Sequence, residues 1–338
     1  MSETLRLVTY NVEWFDNLFN DAGQLIDDKG WSGRWDVTRA AQTAALGYVF
    51  QALDADAVMV IEAPDTSRSR STVTALKTFA TRFGLRARAA LTGYTNDTQQ
   101  EVALLYDPDR LTAMHDPLDS PAAPRFDRRF AVDLDLDGHA EAITWSKPPL
   151  EVTLTAGDTV FHLIGVHAKS KAAHGRGSPD HLMRINIANR RKQLAQCVWL
   201  RGRVDQLLAD GRPLIVMGDF NDGPGLDEFE ALFGRSGVEI VLGEGDAIPL
   251  HDPHARLALA GRISAQPATA RFKHGSAYLS VLLDYIMVND AVRRMQPRWK
   301  IWHPFDTPDC FENPPLREAL LTASDHFPVA LDLVVGLE

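Results

Sequence analysis

The sequence predicts an α+β fold in which two β-sheets are flanked by helices. Three observations predict it: eight short apolar runs of β character along the chain, a few helical patterns between them, and a 45% hydrophobic content over 338 residues, ample for a sizeable core. The strand-like runs fall at residues 5–12, 57–61, 102–106, 150–155, 160–166, 214–217, 283–288 and 329–334, and several stop directly at polar residues. Helical patterns occupy 36–53, 72–83, 187–208 and 227–233. In the third, Leu194, Cys197, Val198, Val204, Leu207 and Leu208 recur at steps of three, four or seven and mark one buried face.

The chain carries neither an internal repeat nor a linker long enough to divide it, so one domain spanning 1–338 is expected. Segments 107–124, 243–262 and 172–182 read as surface loops; the last, AAHGRGSPDHL, is either a substrate-contacting loop or a solvated connection. A formal net charge of −10 argues against extensive electrostatic adhesion to nucleic acid. It does not argue against a metal enzyme, because a bound cation reverses the local sign. No basic leader precedes an apolar run, and no apolar stretch approaches the ~18 residues of a membrane span. With only Cys197 and Cys310, no disulfide framework is expected, and a cytoplasmic location suits the chain. Neither a membrane nor an obligate protein partner is implied.

Polar residues gather where apolar strands end: Asn11 after LRLVTY, Glu62 after AVMVI, His167 after FHLIGV, Asp219 and Asn221 after PLIVMG, and Asp284 after VLL. Asp325 and His326 stand just before the last apolar strand. One such residue is ordinarily a cap or a turn residue; six groups together point to chemistry. Glu62 and Asp325 suit a hard divalent cation, which prefers oxygen ligands and keeps several waters. Asn11 would add a carbonyl ligand or orient Glu62. Two distant cysteines exclude a cysteine-rich zinc site and no HExxH helix is present, so Mg²⁺ or Mn²⁺ is the expected metal. In GDFND, alternation through Phe220 would point Asp219 and Asn221 the same way, a carboxylate to take a proton from water and an amide to aim it. An Asx-turn is the structural alternative. His326 can donate to a phosphoryl oxygen if a carboxylate holds it protonated, and Asp284 is the candidate.

TYNVEW, VIEAPD, VHAKSK, GDFND, LDYIMV and SDHFPV stand in the order and approximate spacing of the endonuclease/exonuclease/phosphatase superfamily, which the chain resembles from Leu5 to about Val335. The resemblance is nearest to the bacterial nuclease-like branch. It implies a four-layer α/β/β/α sandwich of two mixed sheets with the site at one sheet edge. It implies that Asn11, Glu62 and Asp325 surround the metal, that Asp219 and Asn221 position water and phosphate, and that His326 pairs with Asp284. His167 matches the histidine of the deoxyribonuclease-like branch, with Glu101 at the opening of EVALLY as its partner acid. Arg191 resembles a helix residue that follows this histidine motif. Two departures stand out: Ile61 precedes the metal-site glutamate where many relatives have Gln, and Lys147-Pro148-Pro149 replaces Arg-Pro-Pro, keeping the charge but losing bidentate geometry.

Such folds host many substrates. HAKSK favours a nuclease, since Lys169 and Lys171 alternate at a strand end and would flank a phosphodiester of DNA or RNA. The acidic charge and the lack of an aromatic–basic run favour a small-molecule or lipid-headgroup phosphoesterase instead. A non-catalytic scaffold is the third reading, and filled chemical positions weigh against it.

Overall fold

The computed structural model describes residues 2–134, 140–171, 178–223, 234–243, 245, 247–260 and 266–336. Two mixed sheets form its centre. The first has six strands in the order β14-β15-β1-β2-β4-β3: β1 is Ser2–Asn11, β2 Ala57–Pro64, β3 Ala89–Thr92, β4 Gln100–Tyr106, β14 Arg298–Ile301 and β15 Val329–Gly336. Only β1 and β2 run parallel there. The second orders five strands β13-β10-β9-β8-β5: β5 is Leu111–His115, β8 Leu150–Ala156, β9 Thr159–His167, β10 Leu214–Asp219 and β13 Asp284–Val288. Its parallel pair is β9 and β10. Two small hairpins, β6 (Phe130–Val132) with β7 (Glu141–Ile143) and β11 (Ala270–His274) with β12 (Ala277–Val281), stand outside these sheets.

Period-two alternation divides each strand between two cores. Leu5 and Leu7 of β1, Leu163 of β9, Ile215 and Met217 of β10 and Ile286 of β13 meet between the sheets. Val8 and Tyr10 face outward with Leu46, Val49, Phe50, Leu76 and Phe79, which belong to helices α1 (Arg39–Leu53) and α2 (Thr72–Phe83). On the other outer face Ile164, Val166 and Val216 pack beneath α3 (Pro179–Ala209), which buries Leu194, Cys197, Val204 and Leu207 as its periodicity predicts. The shorter helices are α4 (Gly237–Leu242), α5 (Pro253–Leu259), α6 (Asp290–Arg293), α7 (Pro308–Phe311) and α8 (Pro314–Ala323). The result is the expected four-layer helix–sheet–sheet–helix sandwich.

The expected loops are only partly loops. Segment 107–124 contains β5, an edge strand with one buried face, and 243–262 contains α5, capped by Asp252 with Pro253 in its first turn. Residues 178–182 open α3, where Ser178 accepts a hydrogen bond from the His181 amide and Pro179 follows; 172–177 lie outside the described residues. Pro in the first turn after Asp or Ser is a helix-start signal that outweighed the loop-like composition. The helix expected at 227–233 also lies outside the described residues.

Candidate active site

The strand registers bring the separate motifs together. Asp219 pairs with His167 on β9 and with Asp284 on β13, so three adjacent strands carry His167, Asp219 and Asp284 in one row. Each shares the parity of residues that fill the core between the sheets, so the row points at the facing sheet. There, Asn11 ends β1 beside Ile61 of β2, and its Nδ2 donates to Asp219 Oδ2 at 3.0 Å. Ser324 ties the last motif to this end: its hydroxyl donates to Asn11 O at 2.7 Å and accepts from the His326 amide at 3.1 Å.

Glu62 is aimed by an irregularity. The β2–β4 register slips between Ile61 and Ala63, and Glu62, at φ 64°, is the extra residue of a bulge. Its Oε2 accepts from the Trp14 amide at 3.1 Å and from Gln100 Nε2 at 2.6 Å. An amide from β4 therefore sits on this carboxylate although Ile61 supplies none. Its Oε1 lies 3.9 Å from His167 Nε2.

His326 Nδ1 lies 2.8 Å from Asp284 Oδ2, the expected pair. Burial opposes a charge on the imidazole, but Asp284, with Asp219 and Asp325 close by, holds its pKa well above the ordinary histidine value. Burial raises Asp219 to about 7, with Asp284 adding to the shift and His326 opposing it. His167 goes the other way: burial, then Lys147 and His326, keep it well below the usual range and thus neutral. Burial and then Asp325 push Glu13 up to about 8, against its ion pair with Arg34.

Asp219 and Asn221 converge by the turn rather than by alternation. β10 ends at Asp219, and Asn221, at φ 50°, donates its amide N–H to Asp219 Oδ1 at 2.7 Å and Nδ2 to Oδ2 at 3.0 Å. Both line a cleft of about 720 Å³ with Asn11, Glu62, His167, Lys169, Lys171, Asp325 and His326. Asn11 bonds to Asp219 and takes the Glu13 amide on its own Oδ1; no hydrogen bond joins it to Glu62.

Two expectations fail. Glu101 does not partner His167: Val102 and Leu104 point between the sheets, so Glu101 faces the opposite side and accepts from Asn96 Nδ2 at 2.9 Å, while His167 Nδ1 is buried without a hydrogen-bond partner. Arg191 is outside the set of cleft-lining residues; it pairs with Glu141 of β7 at 2.8 Å. Its neighbour Arg190 is the buried one, 2.8 Å from Asp222, which also holds Lys171 at 2.7 Å.

Among the described residues, the carboxylates fit a hard cation. Asp325 Oδ1 is buried without a hydrogen-bond partner, and Asn11, Glu13, Glu62 and Asp325 line the same cleft. Asp219, Asp284 and His326 also bring ligand atoms within 4.8 Å of one another, but an imidazolium bound to Asp284 is a donor and not a metal ligand.

The profile of the Endonuclease/Exonuclease/phosphatase family matches residues 8–326. The chain belongs to this family. It is therefore a phosphoester hydrolase, and enzymes of the family generally work with divalent cations. Similar solved structures include truncated Caenorhabditis elegans TDP2, 12% identical with a TM-score of 0.51 over 98% of both chains. D. rerio TDP2 complexed with a single-strand DNA product is 14% identical, with a TM-score of 0.50 over 97% of this chain and 98% of the other. A Bacteroides vulgatus member of the family is 14% identical with a TM-score of 0.48, covering 99% of this chain and 100% of that one. No curated protein is similar enough in sequence to match.

The cleft also holds Glu13 and Gln100, which the motifs did not single out, and Lys147, which they showed only as a departure from Arg-Pro-Pro. Lys147 stands with Nζ 3.4 Å from His167 Nε2, its pKa lowered by burial despite nearby Glu62 and Asp219; the signal was its replacement of an arginine before two prolines. Glu13 lies inside TYNVEW, and its Oε2 accepts from the Asp325 amide at 3.1 Å. Gln100 sits beside the misassigned Glu101, and one residue of strand parity decides which of the two faces the cleft.

Proposed function

We propose that the protein is a Mg²⁺- or Mn²⁺-dependent phosphodiesterase that cleaves DNA or RNA by attack of an activated water. The observation that carries this reading is that Lys147, Lys169 and Lys171 line the same cleft as the carboxylates. A monoester presents one phosphate, whereas a nucleic acid chain presents flanking phosphates for the lysines beyond the centre.

Asn11, Glu62 and Asp325 would hold the cation, which supplies Lewis-acid polarisation of the scissile phosphoryl group. Asp219, made more basic by burial, accepts the proton of the attacking water, and Asn221, fixed by its turn, aims that water or a phosphoryl oxygen. His326, held charged by Asp284, donates to the phosphoryl oxygen as negative charge grows. Neutral His167 and the Lys147 ammonium border the same oxygens, Lys147 as a point charge.

The test is incubation of purified protein with plasmid DNA, RNA and bis-p-nitrophenyl phosphate, each with and without Mn²⁺. Metal-dependent cleavage of DNA or RNA is expected, with plain monoesters poor substrates. Rapid hydrolysis of a small ester with all nucleic acids intact would replace this reading with a small-molecule or lipid-headgroup phosphoesterase.

A further inference from the structure

Of the seven tryptophans in the chain, the three more than one-third exposed are Trp14, Trp31 and Trp35, at 42%, 65% and 87%. All three belong to the stretch between β1 and α1. Trp14 lines the active-site cleft, and its amide N–H donates to Glu62, so its ring is anchored one hydrogen bond from a proposed metal ligand. Glu13 and Trp14 have consecutive positive φ values of 35° and 59°, a strained pair that the surrounding contacts enforce.

The other two tryptophans are presented by a pinned loop. Trp31 bridges Thr38, and the Ser32 amide donates to Val37 O at 2.9 Å, closing residues 31–38 on themselves. Arg34 fixes that loop to the cleft wall through its ion pair with Glu13 and a hydrogen bond to Leu321 O at 3.2 Å. Gly33 lies against the Trp14 indole: a Cβ there would fall 2.2 Å from Trp14 Cγ. Trp31 and Trp35 thus flank the two residues that touch Trp14 and Glu13.

We propose that Trp14, extended by Trp31 and Trp35, is a stacking platform for unpaired bases, which makes single-stranded nucleic acid the preferred substrate. This inference rests on the nuclease reading of the cleft. Exposed apolar side chains gathered beside a cleft mark a ligand-binding surface. Whatever covers Trp14 also enters the cleft that holds Glu62 and Asp219, which selects the substrate itself as occupant. Nucleobases in a duplex are already stacked on one another and offer no free face, whereas unpaired bases stack on aromatic side chains without regard to sequence. Few phosphate contacts then suffice, in keeping with a chain of net charge −10.

The experiment compares a short oligothymidylate with a blunt duplex of equal length, with Mg²⁺, for wild type and for Trp14→Ala, Trp14→Phe, Trp31→Ala and Trp35→Ala. The single strand should have the lower KM. Trp14→Ala should raise that KM about 5- to 150-fold, the range of one lost base–aromatic stack, and Trp14→Phe should recover most of it. Trp35→Ala, at a site too exposed to affect folding, should raise it several-fold, and Trp31→Ala likewise. Binding of the oligonucleotide to Asp219→Asn protein should quench tryptophan fluorescence, and less so when Trp14 is replaced. Nucleic acid cleavage with the duplex preferred, or with all four variants matching wild type in KM, overturns the stacking platform and leaves the nuclease reading standing. Failure to cleave either form, with bis-p-nitrophenyl phosphate hydrolysed, overturns the nuclease reading and the platform with it.

Discussion

At the scale of single residues, the site gathers groups whose protonation is pushed apart by their surroundings. Asp219 ends β10 and His326 stands just before β15, one carboxylate raised to about 7 and one imidazole held charged. Asp219→Asn should lower kcat by at least about 10²-fold, the scale of a positioned acid–base group. Because the folded Asp219 carboxyl titrates above its unfolded value, its ionisation opposes folding, and stability is lost as pH rises from about 4 toward 7. The thermal midpoint of metal-free Asp219→Asn should therefore exceed wild type by more at pH 8 than at pH 5; melting curves at both values check the sign. For the 2.8 Å contact between His326 and Asp284, His326→Ala and Asp284→Ala should each be severe. The double variant should be scarcely slower than His326→Ala, since groups acting as a unit are non-additive. Additive losses in kcat/KM would show that the two act separately.

At the scale of elements, strand ends and their irregularities place the chemistry. Gly218 adopts φ 140°, and a Cβ there would sit 2.1 Å from Val166 O on the neighbouring strand. Gly218→Ala should lower stability by at least about 2 kcal/mol, read by denaturant unfolding, because only backbone displacement relieves that clash. The helix-covered side of the second sheet depends on a buried ion pair between Arg203 of α3 and Glu151 of β8, with N–O at 2.6 Å. Arg203→Leu should cost about 3–5 kcal/mol by leaving Glu151 buried and uncompensated. An unchanged midpoint in urea would show that Glu151 is neutral in the folded state. Element reading succeeded where strands are long and apolar, as in β1, β9 and β10. It missed β3, β5 and β14 at the sheet edges and β6, β7, β11 and β12 in the two hairpins, all three to five residues long, because short strands with exposed faces carry little periodic signal.

At the scale of the whole molecule, four layers pack two sheets face to face so that residues more than 200 positions apart meet, as Asn11 of one sheet does with Asp219 of the other. Asp325 Oδ1, buried without a hydrogen-bond partner in the cleft that Glu62 also lines, makes a cation the natural stabiliser. EDTA should abolish turnover and Mg²⁺ or Mn²⁺ restore it; full activity in protein shown metal-free by elemental analysis would end that account. Added Mg²⁺ should raise the thermal midpoint by mass action, about 2.7 kcal/mol of stabilisation at a hundredfold excess over Kd. Asp325→Asn and Glu62→Gln should blunt that rise. Among the described residues, no helix is long and apolar enough to cross a membrane.

The sequence by itself determined the layered fold, the family, and the positions of Asn11, Glu62, His167, Asp219, Asp284, Asp325 and His326, because apolar runs that end in polar residues mark strand ends and motif order marks kinship. Only the tertiary structure decided which of these side chains meet. Registers between β9, β10 and β13 are long-range pairings that local pattern does not encode, and they align His167, Asp219 and Asp284 in one row. Strand parity turned Glu101 away from His167, and a bulge turned Glu62 toward it. Arg191 and Arg190 differ by one step of about 100° around α3, and packing against Asp222 and Glu141 set which is buried. The same packing put Lys147 beside His167 and left three tryptophans in water, since neither burial nor proximity is a property of a residue until the chain has closed around it.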